Sequence, residues 1–184
     1  LFQDQVTIKS KVRHSFRSLI NWGLGELHIQ VFDSSNMDLE KMLQFRELHI
    51  REAGRETRSE ESWKRQLEIV QAQEGFIVFG HLEDELVSAG FFIHNKTNCY
   101  YGSSASRRDM FEKSLFHSLM WTAILHAKKI GCRWFETGEQ LYPNHPNDKS
   151  PTNKELGISL FKSGFGGQTE MFLDLKLDCK IVSK

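Results

Sequence analysis

Leu86-Val87-Ser88-Ala89-Gly90-Phe91-Phe92-Ile93-His94 runs through the turn Asn95 to Asn98 into Cys99-Tyr100-Tyr101-Gly102. Two apolar, aromatic-rich segments joined by a short polar turn read as an antiparallel pair of strands. Upstream, Phe76-Ile77-Val78-Phe79 is a third such segment, set off by the polar turn Glu83-Asp84-Glu85. Its four consecutive apolar residues leave no polar face, which predicts a strand buried on both sides. Downstream the period changes. Phe116, Leu119, Met120, Ala123, Ile124 and Ala127 recur at helical spacing, predicting a long helix over Asp109 to Ile130 closed by Gly131. Cys132 to Thr137 then returns as a strand, completing a βαβ unit.

Working outward, Leu27 to Phe32 alternates with period two and reads as a first strand. Leu39, Met42, Leu43, Phe45, Leu48, His49 and Ala53 lie at helical spacing up to Gly54. A second helix starts at Ser59, with Trp63, Leu67 and Val70 as its apolar stripe. After the βαβ unit comes a polar loop with Pro143, Pro146 and Pro151. A helix from Thr152 to Ser163 follows, ended by Gly164, and an alternating final strand runs from Gln168 to Leu177. The order is strand, two helices, three antiparallel strands, long helix, strand, helix, strand. It predicts an α/β (α+β) domain: a mixed, mostly antiparallel sheet with helices on both faces.

Composition bounds the function. The 184 residues suffice for one substantial domain, and 39% hydrophobic residues with 14 Phe and 4 Trp can fill its core. The 24 basic and 24 acidic residues cancel, which argues against a DNA-coating protein. Cys99, Cys132 and Cys179 are odd in number and widely spaced, fitting neither a metal site nor a disulfide framework and suiting a reducing cytoplasm. No apolar run approaches the ~20 residues of a transmembrane span, and no signal peptide is evident. A chain opening on Leu1 is expected to be part of a longer protein.

Two stretches carry a resemblance. Phe161-Lys162-Ser163-Gly164-Phe165-Gly166-Gly167 resembles the FK-x-x-FGG signature of FemAB-type transferases, which have two lobes of the GNAT acyl-CoA N-acyltransferase fold. Tyr100 to Ser106, Leu115-Phe116-His117, Trp121 to Ile124 and Phe135-Glu136-Thr137-Gly138 are similar to the same lobes. The resemblance implies acyl or aminoacyl transfer from an activated ester or thioester to an amine in envelope or polysaccharide biosynthesis. The donor would be acyl-CoA or aminoacyl-tRNA, and the acceptor an amine-bearing envelope precursor or sugar. Residues 26–184 would form one lobe, and residues 1–25, with the basic stretch Lys9 to Arg17, an arm leading in from a preceding lobe.

Candidate residues follow from chemistry and position. Lys162, beside a glycine turn expected to let a ligand approach the backbone, can stabilise the oxyanion of acyl transfer. Glu136 and Glu139, at a strand end, are candidate general bases if burial raises their pKa. Arg51, Arg55 and Arg58, between the first two helices, can grip a carboxylate or phosphate, with Trp63 as a pocket wall. Ser104, Ser106 and Arg107, in the loop expected before the long helix, can bind a phosphate at its N-terminus. That loop lacks the glycine spacing of acetyl-CoA enzymes, which weakens coenzyme A as donor. His117, Phe161 and one of the face-alternating pair Tyr100 and Tyr101, here Tyr101, complete the set. Two alternatives stand beside this reading: a small-molecule acyl-CoA N-acetyltransferase, and a non-catalytic acceptor-binding lobe.

Overall fold

A computed structural model describes residues 1–143 and 150–171. Two helices open the chain, α1 (Gln5–Lys11) and α2 (His14–Glu26), followed by β1 (His28–Phe32), α3 (Leu39–Ala53) and α4 (Glu60–Gln71). Three strands come next, β2 (Gly75–Leu82), β3 (Glu85–His94) and β4 (Asn98–Ser106), then α5 (Leu115–Lys129), β5 (Trp134–Glu136) and α6 (Asn153–Ser163). The sheet order is β1-β2-β3-β4-β5. The first four strands are antiparallel, and β5 runs parallel to β4 over Asn98–Tyr100 and Trp134–Glu136. The mixed, mostly antiparallel sheet with helices on both faces is the predicted architecture.

The apolar run in β2 sets the layering. Phe76 and Val78 project into one core with Phe16 and Ile20 of α2 and Leu119, Met120 and Ala123 of α5. Ile77 and Phe79 project into the other, with Met42, Phe45 and Leu48 of α3 and Trp63, Leu67 and Val70 of α4. Local chemistry sets the helix ends. Asp38 and Ser59 cap α3 and α4 through their side chains, and Gly54 ends α3 at φ 69°. Thr152 and Glu155 form a reciprocal capping box at the start of α6.

Four details differ from the sequence reading. β4 continues to Ser106 and α5 starts only at Leu115, so Ser104 and Ser106 lie on a strand. The β3–β4 register shifts between Phe91 and Phe92, leaving Gly102 as the extra residue of a bulge. Leu39 and Leu43 are exposed, off the buried stripe of α3. Residues 168–171 form no strand; the rest of the predicted final strand, Cys179 and Asn144 to Lys149 lie outside the described residues.

Residues 1–25, expected as an arm, are mostly helical and built into the core. Val12 and Ile20 are fully buried. The ring of Phe16 packs on His117, Phe161 and Phe165 at centroid distances of 4.5, 5.9 and 5.4 Å. This contact also explains the glycine turn. The Gly164 carbonyl accepts the Arg13 N–H at 2.8 Å, and a Cβ at Gly164 would lie 2.1 Å from the Phe16 ring. At Gly166, with φ +84°, a Cβ would lie 2.6 Å from the Lys11 carbonyl oxygen. The close approach expected for a ligand is made here by the chain's own N-terminal helices.

Gly164→Ala should therefore cost about 1–3 kcal/mol through overpacking against Phe16. Gly25→Ala, in α2 with nothing within 4 Å of its Cβ, should instead gain about 0.5–1 kcal/mol from helix propensity. Urea unfolding of the two variants measures both.

Candidate functional site

Lys162 sits in the last turn of α6, beside the loop that leaves β5. Its Nζ donates to the Glu139 carbonyl at 3.3 Å. A Cβ placed on Gly138 would lie 3.1 Å from that Nζ and 3.3 Å from the Tyr100 hydroxyl, so the two polar groups converge on one glycine. Gly138 holds φ +84°, a conformation glycine adopts without strain. Partial burial pulls the Lys162 pKa below its usual value, and the charge of Glu139 opposes that shift. Among the described residues no carboxylate pairs with the ammonium, which leaves donors for a ligand.

The tyrosine beside this lysine is Tyr100, a correction to the choice of Tyr101. The Tyr101 side chain is partly buried against Phe92 and Phe116, and its hydroxyl bonds Ser104 Oγ. In a regular strand residues three apart face opposite ways; the bulge at Gly102 brings Tyr101 and Ser104 onto one face. Tyr100, 42% exposed, takes the other direction. Glu136 and Glu139 are both exposed, so neither has the burial its expected role as base required. Glu136 Oε1 accepts from Asn98 Nδ2 at 2.6 Å.

Phe161 and His117 belong to the aromatic seam between α2, α5 and α6. The imidazole packs edge-on to Phe16 at 4.5 Å and Phe161 at 5.1 Å. Burial pushes its pKa down to about 4, against a smaller opposing bond to the Ser114 backbone. At neutral pH this ring is uncharged and packed, which suits a core residue rather than an anion-gripping one.

The arginines do not converge. Arg51 pairs with Glu52 at 3.0 Å and reaches Glu85 at 3.9 Å, while Arg107 bonds both Glu85 and Asp109. Glu52 also accepts the Arg108 N–H at 2.8 Å. Carboxylates of the chain itself thus hold the Arg107 side chain and the Arg108 N–H of the expected phosphate loop, and Ser106 Oγ meets Ser88 Oγ at 2.7 Å. Arg58 turns back onto His49 at 3.0 Å and lies 5.9 Å from the Trp63 ring centre. Trp63 is 3% exposed and packs on Phe45, which makes it a core residue instead of a pocket wall. Arg55 is exposed. Of the three arginines, Arg51 alone lines the two shallow grooves beside α3, of about 420 and 240 Å³. Arg107 and Tyr100 are seven residues apart on one strand line, roughly 23 Å. The arginine group and the lysine site are therefore separate places.

No group of His, Cys, Asp and Glu suited to a metal ion occurs among the described residues. No described helix is long and apolar enough to cross a membrane. Cys99 and Cys132 are buried free thiols.

No family model matches the sequence, and no curated protein matches it. Solved structures do match the fold. FemX superposes with a TM-score of 0.68 at 10% identity over 89% of this chain, which spans 56% of FemX. An aminoglycoside acetyltransferase from an uncultured soil metagenomic sample, in complex with sisomicin, gives 0.61 at 11% identity over 85% of this chain and 98% of its own. Aminoglycoside N-acetyltransferase AAC(6')-Iy in complex with CoA gives 0.57 at 10% identity over 83% of this chain and 97% of its own. The fold of the chain is the GNAT acetyltransferase fold.

The His117 pKa carries a prediction. The unfolded chain binds the imidazole proton below about 6.5, whereas the folded chain resists it down to about 4. Stability should fall as pH drops through that window. His117→Leu should flatten this acid limb, read as melting temperature against pH for both proteins.

Proposed function

We propose that the domain transfers an acyl or aminoacyl group from an activated ester or thioester to an amine, with Lys162 stabilising the carbonyl oxygen as negative charge develops. The observation that carries this is the half-buried Nζ, aimed at the loop beyond β5 and donating to the Glu139 backbone carbonyl, with no carboxylate paired to it among the described residues. Such a cation favours an incoming oxyanion, and each donor of this kind is worth about 10²–10³ in turnover. The GNAT fold supports the reaction class, and the resemblance of residues 161–167 to the FemAB signature supports the placement. The acceptor class is an amine-bearing envelope precursor or sugar, handled in the cytoplasm, with the chain acting as one lobe of a longer transferase. Arg51, lining both grooves, is the arginine that would contact an anionic part of the substrate.

A second reading rests on a specific observation: the chain spans nearly the full length of the two aminoglycoside acetyltransferases. On it, the domain is a small-molecule acyl-CoA N-acetyltransferase. The carboxylate-filled loop after β4 weighs against coenzyme A and toward a donor that does not place its phosphates there.

Acetyl-CoA and alanyl-tRNA, offered as donors against glucosamine, sisomicin and a lysine-bearing envelope peptide, separate the readings by product mass. Transfer is expected, and Lys162→Met should lower turnover by about two orders of magnitude at an unchanged melting temperature. A fully active Lys162→Met protein overturns the role of the lysine. Absence of transfer from both donors overturns the enzymatic reading in favour of an acceptor-binding lobe.

A further inference from the structure

We infer that Tyr100 is the second donor of the oxyanion site, and that Gly138 is the floor on which its hydroxyl and Lys162 Nζ meet; this rests on the reading of Lys162 above. Three observations converge. A Cβ at residue 138 would touch both groups, at 3.1 Å from Nζ and 3.3 Å from the hydroxyl, so glycine leaves open the space they share. The hydroxyl has no protein partner among the described residues, although that of its neighbour Tyr101 is bonded to Ser104. Tyr100 also pairs with Glu136 across the β4–β5 ladder, which fixes its backbone against the strand that delivers Gly138. One donor thus comes from the sheet and the other from α6, both beside the Cβ position of a glycine with φ +84°.

The chemistry needs donors in this arrangement. The amine lone pair forms the new C–N bond while the carbonyl π pair moves onto oxygen. Collapse of that oxyanion breaks the C–O or C–S bond, with its pair leaving on the donor fragment. The nitrogen's surplus proton neutralises the departing group. Neither Tyr100 nor Lys162 gains or loses a bond; each holds a hydrogen bond to the oxygen that shortens as its charge grows. A neutral phenol beside a cation supplies direction without adding charge, and an open glycine admits the carbonyl between them.

The test uses the full chain with whichever of the donor and acceptor pairs above turns over fastest. Tyr100→Phe removes one exposed hydroxyl and should leave the melting temperature unchanged. It should lower kcat by about a hundredfold with KM within about threefold, because the bond is made in the transition state. Combined with Lys162→Met it should cost much less than the product of the two single losses, since both donors serve one oxygen. Gly138→Ala, which places a methyl between them, should lose kcat as well. If Lys162→Met is impaired but Tyr100→Phe retains full kcat, this inference is overturned and the role of the lysine stands. If Lys162→Met is active, or no pair turns over, both are overturned. A Tyr100→Phe defect confined to KM, or losses that multiply in the double variant, overturns the shared oxyanion site alone.

Discussion

A strand that is apolar on both faces has to be covered twice, and β2 imposes that condition on the whole chain. Phe76 and Val78 on one side and Ile77 and Phe79 on the other are all buried to 1% exposure or less. Leaving either side open would return several large side chains to water at about 1.5–3 kcal/mol each. The two covers come from different parts of the chain: α3 and α4 on one face, α2 with the later α5 on the other. This is why α2, with Val12 just before it, is part of the domain core. It is also why β4 is followed by a helix that crosses back before β5 can pair in parallel.

The candidate site depends on that second cover. Helix α6 has 11 residues and buries only Ser159 among them, too little to hold itself in place. It is held by a capping box at one end and by an aromatic seam at the other. Phe161 and Phe165 lie 5.1 Å apart and both contact Phe16, with His117 between the helices. Edge-on aromatic contacts of this kind contribute about 0.5–1.5 kcal/mol each beyond area burial. Phe161 is thus the anchor that aims its neighbour Lys162 toward the loop after β5. The FK-x-x-FGG stretch works as a unit. Its aromatics fix the helix end, its glycines admit α1 and α2 close by, and its lysine reaches the loop after β5.

Charge is distributed differently. At the far end of β4, Arg51, Arg107, Glu52, Glu85 and Asp109 neutralise one another at the surface. Exposed pairs of this sort contribute little to stability, with a median near 0–1 kcal/mol. Their consequence lies elsewhere. The turn after β4, where a phosphate-binding loop was expected, has its Arg108 N–H held by Glu52 and its Arg107 guanidinium by Glu85 and Asp109.

Much of the fold was legible because its causes are local. Caps at Ser59 and Thr152 and the C-terminal glycine at Gly54 each depend on a few adjacent residues, and α3, α4 and α6 occur where predicted; the long helix, predicted from Asp109, begins at Leu115. Lys162 as a candidate was legible from its glycine-flanked position. Its tyrosine partner was not. Strict alternation along β4 says only that Tyr100 and Tyr101 face opposite ways. Which of them meets the lysine depends on where α6 docks and on the bulge at Gly102, neither of which leaves a periodic signature. For the same reason Trp63 and His117, which the sequence favours as core, stayed candidates until their packing was seen. The sequence by itself determined the elements from β1 to α6, their order and the two-sided sheet, because hydrophobic period and capping chemistry act over one or two turns. Only the tertiary structure decided that the glycine turn receives Phe16 and Lys11 and that the arginines close on their own carboxylates. It alone brought Tyr100 and Lys162 to Gly138, because these contacts join residues brought together by packing across the sheet.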